Sequence, residues 1–253
     1  MKNSIIASKS LRGGGLFSAG GLFHALGLSR KPAFTLAEVL ITLGVIGIVA
    51  ALTLPNMIKK HRNKVLETQF KAAYSIIQQA SYKMYMENEG DFIDFLGHST
   101  GAGYISKYRE KYVELAPKYY KVIKNLDKTE TADLKMYTSN GNEFTYNGSF
   151  LSFSPMILPN GMLLSFNSHT GGNIIIYVDT NGPFKNPNRF GYDLFRLEMT
   201  KNGKIIGDQD KNNDTCYFYN GHDWDNEGTG CGRYAIADEF PHNKNKSYWQ
   251  NLP

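Results

Sequence analysis

The feature that most constrains this chain is an apolar run from Phe34 to Leu54 that contains a single acidic residue, Glu38. Roughly 20 apolar residues, each rising about 1.5 Å, form a helix long enough to cross the ~30 Å hydrocarbon layer of a membrane. A helix also satisfies its own backbone hydrogen bonds, as that layer requires. The run therefore predicts a transmembrane helix. An ionised acid at the centre of such a helix costs about 2.5 to 3.5 kcal/mol, which makes Glu38 a candidate functional residue.

The residues around this run resemble the N-terminus of type IV pilins and of type II secretion pseudopilins. Precursors in that family carry a short basic leader, a cleavage point before Phe-Thr-Leu-x-Glu, and then an apolar helix. Here the leader would end at Ala33, the mature chain would begin at Phe34, and Glu38 occupies the family's glutamate position. Gly47 and Pro55 lie where such helices commonly have a glycine and a proline. The family usually has glycine before the cut and a shorter leader, so Ala33 and the leader length depart from its pattern.

The resemblance implies a non-enzymatic filament subunit. A prepilin peptidase would remove the leader, residues 1–33, and methylate the new amine of Phe34. Subunits would then polymerise through residues 34–54 into a pilus or pseudopilus that serves secretion, adhesion, motility or uptake. The resemblance also implies a single pass through the bacterial cytoplasmic (inner) membrane and an extracytoplasmic globular domain.

The resemblance further implies partners and a role for Glu38. The partners are the prepilin peptidase, like subunits, an inner-membrane assembly platform and a separate ATPase, and nucleic acid is expected only as an uptake cargo. Glu38 would neutralise the amine of Phe34 during assembly, because two buried opposite charges compensate one another. The alternative is that Glu38 only extends to the lipid headgroups.

The net charge argues against a nucleic-acid-binding surface. The chain has 28 basic and 23 acidic residues, which gives a formal net charge of +5. The predicted leader contains five basic residues and no acid: Lys2, Lys9, Arg12, Arg30 and Lys31. Subtracting these 5 from the 28 basic residues leaves 23, equal to the number of acids. The mature protein is therefore close to neutral.

An amphipathic continuation of the helix is predicted over residues 55–90. Apolar residues recur there at alternating steps of four and three residues, which places them on one helical face. They are Leu66, Phe70, Ala73, Ile77, Ala80 and Met84. We expect this stripe to pack on the chain's own globular domain, and a coiled coil is the alternative.

Residues 91–130 are predicted to form a helical connector. Two short helices are expected, Tyr104 to Leu115 and Lys118 to Leu126, separated at Pro117, where a helix usually breaks.

An antiparallel sheet is predicted over residues 131–207, where apolar residues alternate with period two and Asn-Gly pairs recur. The clearest hairpins close at Asn160-Gly161 and Asn202-Gly203. The strand candidates are Glu143 to Tyr146, Phe150 to Phe153, Met156 to Leu158, Met162 to Phe166, Asn173 to Val178, Leu194 to Met199 and Lys204 to Ile206. The predicted fold class is therefore α+β, with a long N-terminal helix packed on an antiparallel sheet. The resemblance implies the same, pilin-like fold.

Residues 208–253 are predicted to form a loop-rich tail without regular elements. Cys216 and Cys231 lie close in sequence and suit a disulfide in an oxidising compartment, and two unrelated thiols are the alternative. The tail is also rich in aromatic residues: Tyr217, Phe218, Tyr219, Trp224, Tyr234, Tyr248 and Trp249. These either fill a small disulfide-tied core or form a surface that binds sugars or partner proteins.

Two oxygen-rich segments are candidate calcium sites, because hard cations prefer oxygen ligands. The candidate ligands are Asp179, Asn181 and Asp193 in the first segment and Asp208, Asp210, Asn212 and Asp214 in the second. In the first segment the alternative is that Asp and Asn only form Asx-turns. The second departs from an EF-hand, since Asn213 replaces the sixth-position glycine and Tyr219 the twelfth-position glutamate.

The sequence contains no zincin His-Glu-x-x-His, no Gly-x-Ser-x-Gly elbow and no Walker-type phosphate loop. A non-enzymatic protein is therefore predicted. The leading hypothesis is the filament subunit. The alternative is a membrane-anchored surface binding protein or adhesin that does not polymerise.

Overall fold

A computed structural model of the chain describes residues 34–88, 105–131, 133–143, 155–168, 174–200, 202–208, 215–219 and 228–253. The predicted leader, including Ala33, lies outside these residues. The chain divides into two compact units, Met1–Ala51 and Leu52–Pro253.

Helix α1, Leu36–Glu87, begins with the apolar run. None of its most apolar stretch is buried within the chain. Among the described residues, this one helix is long and apolar enough to cross a membrane. It fits the predicted single pass, as a membrane-spanning or signal-anchor helix.

The second half of α1 buries the predicted apolar stripe: Leu66, Phe70, Ala73, Ile77, Ala80 and Met84. The ring of Phe70 lies 4.5 Å from that of Phe195 and 5.2 Å from that of Trp249, measured between ring centroids. The expectation that the stripe packs on the chain's own domain is thus confirmed. Two polar residues that the periodicity does not identify, Asn63 and Ser81, are buried on α1 as well.

Helix α2, Ile105–Tyr120, continues through Pro117, so the predicted break there is wrong. Proline inside a helix costs about 3 kcal/mol, because it removes one hydrogen bond and its ring clashes with the preceding turn. Burial offsets this cost, since Tyr112, Ala116 and Tyr120 recur every four residues and are all buried. The hydroxyl of Tyr120 also lies 2.6 Å from that of Tyr112.

The second predicted connector helix, Lys118 to Leu126, is wrong as well. The chain leaves the helix at Lys121, whose φ of 54° is left-handed and cannot continue α2. Lys124–Asn125 then form strand β1, and Lys128–Thr131 form the short helix α3.

In the part of the chain that the structure describes, six strands form one antiparallel sheet in which each strand pairs with its neighbour in sequence. After β1 come β2 (Met156–Ile157), β3 (Leu163–Ser168), β4 (Ile174–Asp179), β5 (Leu194–Met199) and β6 (Ile205–Gly207). These five overlap predicted strands, and β5 has the predicted bounds. Of the other two candidates, Phe150 to Phe153 and the residues after Glu143 lie outside the described residues. Glu143 itself forms an isolated bridge with Tyr137. The α+β class is confirmed.

Both faces of the sheet are buried. Phe195, Leu197 and Met199 of β5 belong to the main core, which includes the α1 stripe. The side chains that point to the other face form a smaller buried cluster, which includes Leu163, Ile175, Tyr177 and Leu194. The alternation of apolar and polar residues in β5 is typical of a strand with one exposed, polar face, but Glu198 of that face is buried as well.

The two predicted hairpin turns are present, and glycine supplies their positive φ. Gly161 and Gly203 have φ of 85° and 72°. The asparagines of these turns contribute side-chain hydrogen bonds. Asn160 Oδ1, for example, accepts the backbone N–H of Met162 at 3.2 Å. A Cβ at Gly203 would lie 2.7 Å from Tyr85 Cβ, so this hairpin approaches α1 as closely as only glycine permits.

Gln78 of α1 hydrogen-bonds the backbone next to the edge strand β6. Its Nε2 donates to the carbonyl of Gly203 at 3.1 Å, and its Oε1 accepts the N–H of Ile205 at 2.9 Å. This satisfies backbone groups at a sheet edge that would otherwise be open to another strand.

The predicted disulfide is present between Cys216 and Cys231. The tail nevertheless contains regular structure, so the expectation of none is wrong. Helix α4, Cys231–Ala237, begins at the disulfide. Helix α5, Tyr248–Asn251, is capped by Ser247, whose hydroxyl oxygen accepts the N–H of Gln250 at 3.2 Å. Two short helices of this kind carry little periodic signal.

Candidate functional site

The single acid of the apolar run is hydrogen-bonded to Thr35 at the start of α1. The backbone N–H and the hydroxyl of Thr35 donate to Glu38 Oε2 at 2.8 and 2.9 Å. The N–H of Glu38 in turn donates to the Thr35 hydroxyl oxygen at 3.2 Å. This reciprocal arrangement is a capping box, which satisfies orphan N–H groups and places a negative charge at the positive end of the helix dipole.

The capping box gives Glu38 a local structural role that the sequence analysis did not assign, and it adds Thr35 to the site. Thr35 could have been identified from the sequence, because Thr-x-x-Glu just before an apolar run is the signature of a capping box. Both hydrogen bonds that the carboxylate accepts go to Oε2 of Glu38. Oε1 has no hydrogen-bond partner among the residues that the structure describes.

The apolar side chains around Glu38 face outward. Phe34, Leu36 and Leu40 are 86%, 78% and 61% exposed. A Cβ added at Gly44 or Gly47 would have no neighbour within 4 Å. Such a continuous apolar surface is covered in a functional protein, by lipid or by other protein surfaces.

The first candidate calcium segment forms a tight loop between β4 and β5. Asp179 Oδ1 accepts the backbone N–H groups of Asn181 and Gly182 at 3.2 and 2.9 Å, which is the Asx-turn geometry expected as the alternative. Asp193 lies at the other end of the loop. It is fully buried and accepts three hydrogen bonds within this loop.

The three donors to Asp193 tie the two ends of the loop together. The N–H of Arg189 donates to Oδ1 at 2.7 Å, and the N–H of Asn188 donates to Oδ2 at 2.9 Å. Asn181 Nδ2 also donates to Oδ2, at 3.1 Å. The structure therefore brings together all three predicted residues of the first segment, and Asn188 is a member that the sequence analysis missed.

Burial makes ionisation of both carboxyl groups unfavourable. It raises the pKa of Asp193 to about 6, against the hydrogen bonds that lower it. Burial, and next the charge of Asp193, raise the pKa of Asp179 well above its usual value. Folding thus disfavours a negative charge on either carboxyl group, and a cation bound beside them would favour their ionised forms.

The same loop holds three buried oxygens without hydrogen-bond partners: Thr180 Oγ1, Asn181 Oδ1 and Asn188 Oδ1. Two carboxyl groups with free amide and hydroxyl oxygens fit the chemistry of a hard cation such as calcium. Among the described residues, no three His, Cys, Asp or Glu side chains converge as metal ligands. A cation here would therefore rely on asparagine, threonine and backbone oxygens beside Asp179 and Asp193.

The second candidate segment is represented in the structure by Asp208 alone, because Asp210, Asn212 and Asp214 lie outside the described residues. Asp208 forms an ion pair with Arg196 of β5, which also pairs with Glu198 at 2.9 Å. The carboxylate of Asp208 is therefore engaged by a guanidinium group.

The described aromatic residues of the tail mostly fill the core. Phe218, Tyr248 and Trp249 are buried, and the indole N–H of Trp249 donates to the carbonyl of Ala235 at 3.3 Å. Tyr219 differs, because it is 68% exposed. Trp224 lies outside the described residues.

Comparison with known proteins adds no relative: no family model, no curated protein and no solved structure matches the chain.

Proposed function

We propose that this chain is the precursor of a type IV pilin or pseudopilin, a non-enzymatic subunit that polymerises through its apolar N-terminal helix. The observation that carries the proposal is the exposed apolar half of α1 with one acid in its first turn. A helix that only anchors a protein in lipid can be capped by a neutral side chain, such as glutamine, and needs no charge at this position. A subunit that leaves lipid and packs against its copies can use it to compensate a positive charge.

The capping box supports this use of Glu38. Thr35 holds the carboxylate in the first turn through Oε2, which leaves Oε1 without a partner among the described residues. Cleavage before Phe34 would create an amine one residue before Thr35. In the assembled filament, Glu38 would neutralise such an amine, on its own or on a neighbouring subunit.

The globular part supports the proposal in a different way. The second half of α1 is covered on one face by the sheet and the tail, so this half is anchored in the folded domain. The apolar half is left for lipid before assembly and for neighbouring helices afterwards. The proposed setting is the bacterial cytoplasmic (inner) membrane, with the domain outside the cytoplasm. The proposed partners are a prepilin peptidase, like subunits, an assembly platform and a separate ATPase.

Mass spectrometry of the membrane-inserted protein, produced in a host with a prepilin peptidase, tests the processing step. We expect the mature chain to begin at Phe34 with a methylated amine. Ala33→Gly, which introduces the family's usual residue, should be processed at least as completely as the natural chain, whereas the larger side chain of Ala33→Leu should block the cut. A mature chain that still begins at Met1, in a host that processes a known prepilin, would contradict the proposal.

A membrane-anchored binding protein that does not polymerise is the second candidate. Two exposed aromatic side chains favour it, Phe184 at 72% and Tyr219 at 68% exposure, because such residues often contact ligands. Blue-native electrophoresis of membranes distinguishes the two candidates. A binding anchor remains a single species, whereas a filament subunit forms a series of larger assemblies.

A further inference from the structure

A basic cluster follows the apolar run directly. It consists of Lys59, Lys60, His61, Arg62 and Lys64. No aspartate or glutamate occurs anywhere between Glu38 and Glu67. A one-signed cluster of this kind is either a solvated helix surface or a site for an anionic partner, and the contacts of each member distinguish these roles.

Two members of the cluster are already used within the folded domain. Arg62 donates to the carbonyl of Pro253, and its guanidinium lies over the ring of Tyr192 at 5.7 Å. Lys64 forms an ion pair with Glu67 at 3.0 Å. Lys59 and Lys60, in contrast, are exposed and have no hydrogen-bond or ion-pair partner in the part of the chain that the structure describes.

The position of these two lysines along α1 matches the depth of lipid headgroups. Lys59 follows Leu54 by five residues, which at the helical rise is about 7.5 Å. The headgroup region adds about 5 to 7 Å on each side of the hydrocarbon layer. Met57 and Ile58, which precede the lysines, are 70% and 65% exposed and suit the apolar side of this boundary.

We propose that Lys59 and Lys60 bind the phosphate groups of anionic lipids in the membrane that holds the apolar half of α1. Ammonium groups at this depth are attracted to anionic lipids and can extend along their flexible stems to phosphate oxygens. The inference uses only the membrane helix and goes beyond the proposed filament. It therefore does not depend on polymerisation.

Spin-labelled lipids report this contact in the full chain, reconstituted into vesicles of phosphatidylcholine. The natural chain should associate with labelled phosphatidylglycerol about fivefold more strongly than with labelled phosphatidylcholine, because each lipid phosphate contacts one lysine and a lysine near the surface contributes about 1 kcal/mol. Lys59→Gln with Lys60→Gln should reduce this preference to near one. Lys244→Gln with Lys246→Gln, which removes two exposed charges elsewhere, should leave it unchanged.

Two further conditions make the experiment decisive. Raising the salt concentration should weaken the preference, and inorganic phosphate should do no more than sodium chloride of equal ionic strength, because the site is proposed for lipid rather than free phosphate. An unchanged preference in the Lys59 and Lys60 variant, or an equal loss in the control variant, would overturn the inference. Failure of the natural chain to insert would overturn it together with the membrane assignment. If the chain inserts into the membrane but forms no filament, the lipid preference can still be measured.

Discussion

Glu38 and Thr35 hold one another at the start of the apolar helix, with the Glu38 carboxylate accepting both the backbone N–H and the hydroxyl of Thr35. The acid thus has two separable properties, a negative charge and a capping hydrogen bond. Glutamine can also serve in a capping box, so replacing Glu38 by glutamine removes the charge and retains a neutral cap. Replacing Thr35 by alanine removes the capping hydroxyl and retains the negative charge of Glu38.

The variants Thr35→Ala and Glu38→Gln separate the capping hydrogen bond from the negative charge. Loss of an N-cap side chain costs about 1 kcal/mol, so Thr35→Ala should speed amide hydrogen exchange in the first turn of α1 about fivefold, measured by mass spectrometry in detergent micelles. Glu38→Gln should change this exchange much less, yet should impair filament assembly. If Thr35→Ala leaves exchange unaltered, the capping box is not a stabilising feature.

The disulfide is expected to stabilise the tail. Cys216 and Cys231 are separated by 15 residues, and closing a loop of that length contributes about 3 kcal/mol. Replacing both cysteines by serine should lower the free energy of unfolding by roughly this amount in urea titrations of the detergent-solubilised protein. Reductant should destabilise the natural chain and leave the double variant unaffected. Equal stability of the two proteins without reductant would contradict the prediction.

The loop between β4 and β5 predicts that stability falls as pH rises. Burial raises the folded pKa of Asp193 from 3.8 to about 6 and also raises that of Asp179, so the neutral forms are favoured by folding. The stability due to Asp193 is fully present below pH 3.8 and is lost as pH rises through about 6. The part due to Asp193 is about 3 kcal/mol at 1.36 kcal/mol per pKa unit.

Chemical denaturation in the presence of a chelator, at several pH values between 4 and 7, measures this dependence. Asp193→Asn should flatten the profile, whereas Asp133→Asn, a change at an exposed acid, should not. A profile of Asp193→Asn that changes with pH in the same way as that of the natural chain would refute the assignment of a buried, neutral carboxyl group at this position.

A cation should reverse this loss at neutral pH. Calcium bound between Asp179 and Asp193 would compensate their charges and engage the unpartnered oxygens of Thr180, Asn181 and Asn188. We expect calcium at 100 times its dissociation constant to stabilise the domain by about 2.7 kcal/mol at neutral pH, and much less at pH 4. Asp179→Asn should abolish the effect, as differential scanning calorimetry would show. If calcium does not stabilise the natural chain, the calcium prediction is wrong and the loop contains Asx-turns only.

The elements that the sequence predicts well are those whose burial repeats regularly. The stripe from Leu66 to Met84 and strand β5 follow from periods of 3.6 and two. The helix through Pro117 was not predictable in this way, because its cost is offset by tertiary burial of Tyr112 and Tyr120. Burial of the polar face of β5 also depends on tertiary partners, such as the ion pair of Arg196 with Asp208.

The candidate sites were predictable to different degrees. Glu38 stands out in the sequence because it is the one charge in an apolar run, and Thr35 is recognisable from its spacing to Glu38. The loop ligands Asp179, Asn181 and Asp193 could be named from their oxygens. These residues converge, together with Asn188, only because the loop folds back on itself. No local sequence pattern encodes that loop conformation.

Chemical cross-linking of intact cells that carry the assembly machinery tests the central claim, polymerisation through the apolar helix, most directly. We expect the natural chain to give a ladder of dimers, trimers and larger multimers, and Glu38→Gln at equal membrane levels to give mainly monomer. A natural chain that stays monomeric beside a working filament system, or an unchanged ladder from Glu38→Gln, would contradict the account.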